Sequence, residues 1–257
     1  MKHFLMITAT FLLTLTLLTG CSESKAELPV AEPTAAPTTI PAAETSPAET
    51  EGDASASGND TVYAQQIERY YTAISQQWDE NAYWDHEMSA MAAYYYEGTP
   101  LANVGFAFMD LDGNGIQELL IGAILGADRD PLVFEIWTTR NGEPVMLAQS
   151  GSHNRYYLQY AEEDDLWSVA YEAENGAANH AVYYLQLIDG EFHVIQGVVF
   201  DALASESDPW FMAYDLDWNV SNDTPIDGDT AAAVMTAGRS IYAAQGYFPY
   251  SQYQRIG

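Results

Sequence analysis

Between Phe106 and Leu120 the chain reads Phe-Ala-Phe-Met-Asp-Leu-Asp-Gly-Asn-Gly-Ile-Gln-Glu-Leu-Leu, an oxygen-rich loop held between two apolar runs. Counting from Asp110, the side chains of Asp110, Asp112 and Asn114 fall at positions 1, 3 and 5, the backbone carbonyl of Ile116 at 7, and Glu118 at 9. Alternate spacing lets a tightly wound loop turn successive oxygens toward one centre. Hard oxygen donors suit Ca²⁺, which takes about six to eight of them at roughly 2.3–2.6 Å. Gly115, at position 6, permits the sharp turn. Three carboxylates this close repel one another without a cation. The spacing therefore predicts a structural calcium ion held by Asp110, Asp112, Asn114, Ile116 and Glu118. The competing reading is a turn without an ion, since Asp, Asn and Gly favour turns in any case.

Other constellations say less. Asp215, Asp217 and Asn219 repeat the start of the pattern and Asp223 falls at position 9, but Val220 stands where the turn glycine should be. A polar loop is the simpler expectation there. His86-Glu87 opens a zinc-protease pattern that Ala90 breaks. No Gly-x-Ser-x-Gly occurs, Ser152 and His153 are adjacent, and no lysine follows Lys25, so nucleophile motifs are absent. Acidic pairs are too abundant to single one out. His153, His180 and His193 are expected to cover a sheet, though neighbouring strands could cluster them. Among the aromatic residues, Tyr63, Trp78, Trp84 and Tyr95 sit at helical core spacing. Tyr94, Tyr96, Trp210 and Trp218 are the better candidates for stacking against a ligand.

Composition bounds the rest. Eight basic against 37 acidic residues leave the chain at −29, and on residues 61–257 six arginines face 29 acids for −23. Such a surface lacks the basic footprint that nucleic acid requires, and anionic lipid headgroups would repel it. Lys2 and His3 precede an apolar run from Phe4 to Leu18 that is short for a membrane span, and residues 1–20 read as a secretion signal. Cys21 is the only cysteine, which excludes a disulfide or a thiolate metal site in the domain. Residues 22–60 are rich in Ala, Thr, Ser, Glu and Pro with no aromatic residue, and read as a disordered linker. Such a linker spans on the order of 35 Å as coil. Residues 61–257 suffice for one domain with a sizeable core.

The elements that must position the loop follow from periodicity. Asp60 or Thr61 caps a helix carrying Tyr63, Ile67, Tyr70, Ile74 and Trp78, and a second helix is expected through Trp84, Met88, Met91 and Tyr95. After the loop the period becomes two, in short runs punctuated by Asn141-Gly142 and Asp189-Gly190. These runs predict an antiparallel meander over residues 132–138, 144–149, 155–160, 166–171, 180–188 and 191–200, with 210–214 as an edge strand. Asp229 or Thr230 caps a C-terminal helix with Val234, Ile241 and Tyr242 on its apolar side, which Gly246 and Pro249 end. The fold class is α+β.

Position 12 of the metal loop is Ile121, where a helix-loop-helix hand would need a glutamate. The loop instead resembles those of FG-GAP repeats, in which a strand enters and a strand leaves; the resemblance implies calcium on the same five residues. Leu18-Thr19-Gly20-Cys21 resembles the lipobox of bacterial lipoproteins, which implies lipidation of Cys21. Taken with the linker, Phe108–Gly122 and Gly151–Leu158, the chain resembles a family of uncharacterised lipoproteins of Gram-positive gut anaerobes. The expectation is a lipid-anchored domain on the extracytoplasmic face of the cell membrane, a non-catalytic module binding a surface glycan or protein. The alternative is a surface hydrolase of glycans or peptides working through acidic residues.

Overall fold

A computed structural model describes residues 61–254 apart from 125–130, 177, 206, 208 and 244. The expected signal, Cys21, the linker and the Asp60 cap lie outside the described residues. Helix α1 (Ala64–Ser75) buries Ile67, Tyr70 and Ile74, as steps of three and four require. It ends at Gln77, whose left-handed φ of 51° lets Trp78 N–H reach back to the Ala73 carbonyl.

The second helix is shorter than its periodicity predicts. Asp79 caps α2 (Glu80–Asp85) by accepting from Ala82 N–H at 2.9 Å. Glu87 then takes a φ of 54° and Met88 N–H returns to the Tyr83 carbonyl, stopping the helix. The chain resumes as a 3₁₀ turn over Ala90–Tyr95. The break leaves Trp84 59% exposed, contrary to its expected place in the core. It also frees Ser89, whose amide donates to the buried carboxylate of Glu135 at 2.9 Å. Glutamate is a poor left-handed residue, so only this tertiary hydrogen bond makes the stop intelligible.

A short helix α3 (Pro100–Asn103) leads into the sheet: β1 (Val104–Met109), β2 (Glu118–Ala123), β3 (Leu132–Arg140), β4 (Glu143–Gln149), β5 (Asn154–Ala161), β6 (Leu166–Glu174), β7 (Asn179–Ile188), β8 (Glu191–Asp201), β9 (Trp210–Ala213) and β10 (Thr224–Ile226). All pairings are antiparallel, in the order β10-β9-β8-β7-β6-β5-β3-β2-β1. The α+β meander is therefore present. Asn141 (φ 54°) with Gly142 (φ 81°), and Asp189 (φ 52°) with Gly190 (φ 76°), make the two tight hairpins. β9 is not an edge, because β10 covers it. Helix α4 (Gly228–Ser240) is capped by Asp227, two residues before the expected cap. Of the two residues expected only to end it, Pro249 instead lies in β11 (Phe248–Pro249), which pairs with β1. Gly105 permits this approach: a Cβ there would lie 2.6 Å from the Phe248 carbonyl oxygen.

The sheet is buried on both faces. Leu119 and Ile121 of β2 join the cluster that includes Ile67, Tyr70, Tyr83 and Phe134, while Leu120 between them joins a second with Val133, Leu158, Tyr183 and Val199. The sheet also curls. Arg140 at the end of β3 donates to the Gly190 carbonyl at the β7–β8 turn (2.9 Å), although β5 and β6 lie between the two strands.

Candidate metal centre

The β1–β2 connection is the calcium-type loop, joining adjacent antiparallel strands as the strand-loop-strand reading expects. Gly113 (φ 69°) and Gly115 (φ 85°) take left-handed backbone, and a Cβ at either would meet nothing within 4 Å. Both glycines therefore serve conformation and not clearance. The wound loop brings one carboxylate oxygen each from Asp110, Asp112 and Glu118 to within 4.8 Å of one another. No other group of three acidic or histidine side chains is so close among the described residues.

Glu118 is fully buried where β2 begins, opposite Met109. Its two oxygens accept from Leu111 N–H (2.9 Å) and the Thr138 hydroxyl (2.8 Å). Burial is the main cause holding its pKa above the usual carboxylate range; those two donors oppose the shift, and Asp112 and Asp110 add to it. Asp110 accepts from the amides of Asn114 (3.1 Å) and Gly115 (2.9 Å). Asp112 accepts from Asn114 N–H (3.3 Å), Asn114 Nδ2 (3.0 Å) and Gly190 N–H (3.2 Å). Asn114 Oδ1 accepts from the amide of Ile116, which is itself exposed. Tyr63 ties the loop to the start of α1 by donating to the Gln117 carbonyl at 2.9 Å. Its phenol pKa is raised above the usual range by burial first and by Glu118 second.

The three carboxylates are all-oxygen donors carrying three formal negative charges, with no sulfur or imidazole among them. That set fits a hard divalent cation of the calcium class. The surrounding amides and hydroxyl only partly offset the charge, because a neutral hydrogen bond to a carboxylate stabilises by about 1.5–3 kcal/mol. Sequence reasoning missed Thr138 and Gly190. Thr138 meets Glu118 as a cross-strand neighbour on β3, a pairing that only the register decides, while Gly190, legible as a turn residue, reaches Asp112 because the sheet curls.

The stacking candidates separate. Tyr94 is 60% exposed and shares with Trp84 the rim of a pocket of about 120 Å³ whose lining also includes Glu80, Gln149 and Asn154. The Tyr94 phenol is hydrogen-bonded to Glu80, which raises its pKa. Tyr96 is half-buried, its hydroxyl 2.7 Å from that of Tyr83 and donating to the Ala73 carbonyl. Trp210 packs edge-on against Phe200 and His180, and Trp218 against Tyr183. These three side chains belong to packing. His180 pairs with Phe200 and His193 with Gln186, at opposite ends of the β7–β8 ladder, while His153 lies 3.8 Å from Glu174. Glu174 is also the register partner of His180, so His153 and His180 flank one residue while His193 stands apart, and among the described residues no group of three metal-ligating side chains includes a histidine. Glu162–Asp165 forms the β5–β6 turn, with Asp165 accepting from the Tyr160 hydroxyl at 2.8 Å.

Neither a protein-family model nor a curated protein or solved structure matches this chain.

Proposed function

We propose that the chain is a non-catalytic binding or interaction module whose domain is fastened by a structural calcium ion, tethered by lipid on Cys21 at the extracytoplasmic face of the cell membrane. One observation carries the calcium reading: three carboxylates converge within 4.8 Å, one of them on the fully buried Glu118. A buried anion next to two others is stable only when charge or hydrogen bonding compensates it. Calcium supplies that compensation and fastens β1 to β2 through ligands their connection already holds, with the β7–β8 turn tied to it by the Gly190 amide on Asp112. The exposed Trp84 and Tyr94 beside a small pocket support a binding role, since exposed aromatic rings there offer flat apolar contact without being needed in the core.

Calorimetric titration of the full chain with Ca²⁺ tests the reading. Heat of binding together with a rise in melting temperature is expected; no heat and no rise would remove the ion. Globomycin-sensitive processing, with loss of membrane association in Cys21→Ser, tests the tether. A glycan and protein array probes the binding role, which Trp84→Ala and Tyr94→Ala should weaken. Turnover of a glycan or peptide substrate would overturn the non-catalytic reading in favour of a surface hydrolase.

A further inference from the structure

The β9–β10 connection repeats the architecture of the first loop. Asp215, Asp217, Asn219 and Asp223 have the spacing of Asp110, Asp112, Asn114 and Glu118, and each set joins two adjacent antiparallel strands. Asn219 N–H donates to Asp217 at 2.7 Å and Ser221 N–H to Asn219 at 3.3 Å; Asn114 N–H and Ile116 N–H make the same bonds to Asp112 and Asn114. At position 4, Trp218 takes a φ of 60° where Gly113 takes 69°. Val220, the residue that breaks the sequence pattern, begins a 3₁₀ turn over Val220–Asn222, closed by Asp223 N–H on the Val220 carbonyl at 3.2 Å. That turn reverses the chain without the left-handed backbone that Gly115 provides, so the missing glycine is no obstacle.

Winding and acidity alone would describe only a polar turn. The independent observation is Tyr183 on β7. The residue is 1% exposed, its hydroxyl is buried, and that hydroxyl has no hydrogen-bond partner. Its ring meets Trp218 edge-on at 6.2 Å, beneath the loop. The charges that bear on its phenol are led by Asp223, followed by Asp215 and, further down, Asp217, with burial the larger cause of its raised pKa. The placement is built in: Gly197, the register partner of Tyr183, leaves room for a ring that any Cβ there would strike. A buried hydroxyl left unsatisfied costs about 1–3 kcal/mol. An acidic loop that holds a hydrated cation supplies the missing partner, because a water on the ion can donate to the hydroxyl.

We infer that Asp215, Asp217, Asn219 and Asp223, backed by the Tyr183 hydroxyl, hold a second divalent cation of the calcium class. The ninth position of such loops often acts through a water. Asp223 is one methylene shorter than Glu118, which favours that arrangement and places the water between the ion and Tyr183. The carboxylates of this loop stand wider apart than the triad of the first, within which alone three come within 4.8 Å among the described residues. They must draw together on binding, so the second site binds at least about tenfold more weakly than the first. The inference shares the chemistry of the first loop but does not depend on its occupancy.

The test uses the full chain with Ca²⁺ in calorimetry and Tb³⁺ under tryptophan-selective excitation, since Trp218 lies within the loop and sensitises an ion bound there. Wild type should take up two Ca²⁺, a tight one and a weaker one. Asp215→Asn with Asp217→Asn should remove the weaker site and most of the sensitised emission, whereas Asp110→Asn with Asp112→Asn should leave both. Tyr183→Phe keeps the ring and should retain the far-ultraviolet circular dichroism while weakening the second site about fivefold, the equivalent of one hydrogen bond. Unchanged stoichiometry and emission in the Asp215/Asp217 variant would overturn the second site and leave the first untouched. Binding lost in that variant but intact in the Asp110/Asp112 variant would sustain the second site while removing the first.

Discussion

Asp112, in the loop between β1 and β2, accepts a hydrogen bond at 3.2 Å from the amide of Gly190, 78 residues away at the tip of the β7–β8 hairpin. Strands β3, β5 and β6 lie between the two hairpins in the sheet, so the bond exists only because the sheet curls. It makes the candidate metal loop a point of closure for the whole domain.

Gly190→Ala probes that closure. With φ at 76°, an L side chain at this turn costs about 1–2 kcal/mol, read as a lower denaturation midpoint in urea. Clearance is not the cause, since the nearest atom to a Cβ there is Thr138 Cγ2 at 4.0 Å. Gly190→D-Ala, made by semisynthesis, suits the left-handed φ and should lower the denaturation midpoint less than Gly190→Ala does.

Asp112→Asn removes one of three crowded charges and one of two acceptors. The Asn114 amide donates to Oδ1 and the Gly190 amide to Oδ2, so the single amide oxygen can keep only one of the two bonds. In chelator the relief of repulsion offsets the lost acceptor, so the variant should fall less below wild type than it does with calcium, where it has also lost a ligand. Thermal scans with and without Ca²⁺ decide this, and an equal drop in both conditions would show that Asp112 acts only through its hydrogen bonds.

Glu135 anchors the helical layer. It is 1% exposed and accepts from Ser89 N–H (2.9 Å), Trp137 Nε1 (2.8 Å) and Gln149 Nε2 (3.1 Å). Glu135→Ala leaves those donors without a partner in the core and should cost at least about 3 kcal/mol in equilibrium unfolding, while Glu135→Gln, which keeps one acceptor oxygen, should cost about 1–2 kcal/mol.

His180 should make stability pH-dependent. Its ring stacks on Phe200 at 4.6 Å, and burial lowers its pKa below 6.5, with Glu174 opposing the shift. The folded state therefore prefers the neutral ring. The stabilisation is complete above the unfolded value and is lost as pH falls through the depressed folded one. Melting temperature should drop below pH 6.5 more steeply in wild type than in His180→Phe, and parallel profiles would show that the ring does not contribute.

Trp84 and Tyr83 are neighbours on α2 with opposite roles. Tyr83 is fully buried and Trp84 is 59% exposed. Tyr83→Ala should cost about 3–5 kcal/mol; Trp84→Ala should stay within about 0.5 kcal/mol by chemical denaturation.

By itself the sequence determined the local features: the α1 stripe of Ile67, Tyr70 and Ile74, the hairpins at Asn141-Gly142 and Asp189-Gly190, the α+β meander, and a loop whose oxygens recur at alternate positions. Each rests on interactions within a few residues, where periodicity and turn chemistry act directly. Only the tertiary structure decided the rest. The stop at Glu87 depends on Ser89 meeting Glu135, the return of Phe248–Pro249 depends on the space at Gly105, and the shell around Asp112 and Glu118 depends on Gly190 arriving from a distant hairpin and on the register that sets Thr138 beside Glu118. Those partners leave no periodic trace, because strand register, the docking of the helical layer and, for Gly190, the curvature of the sheet bring them together, and each is a property of elements far apart in the chain.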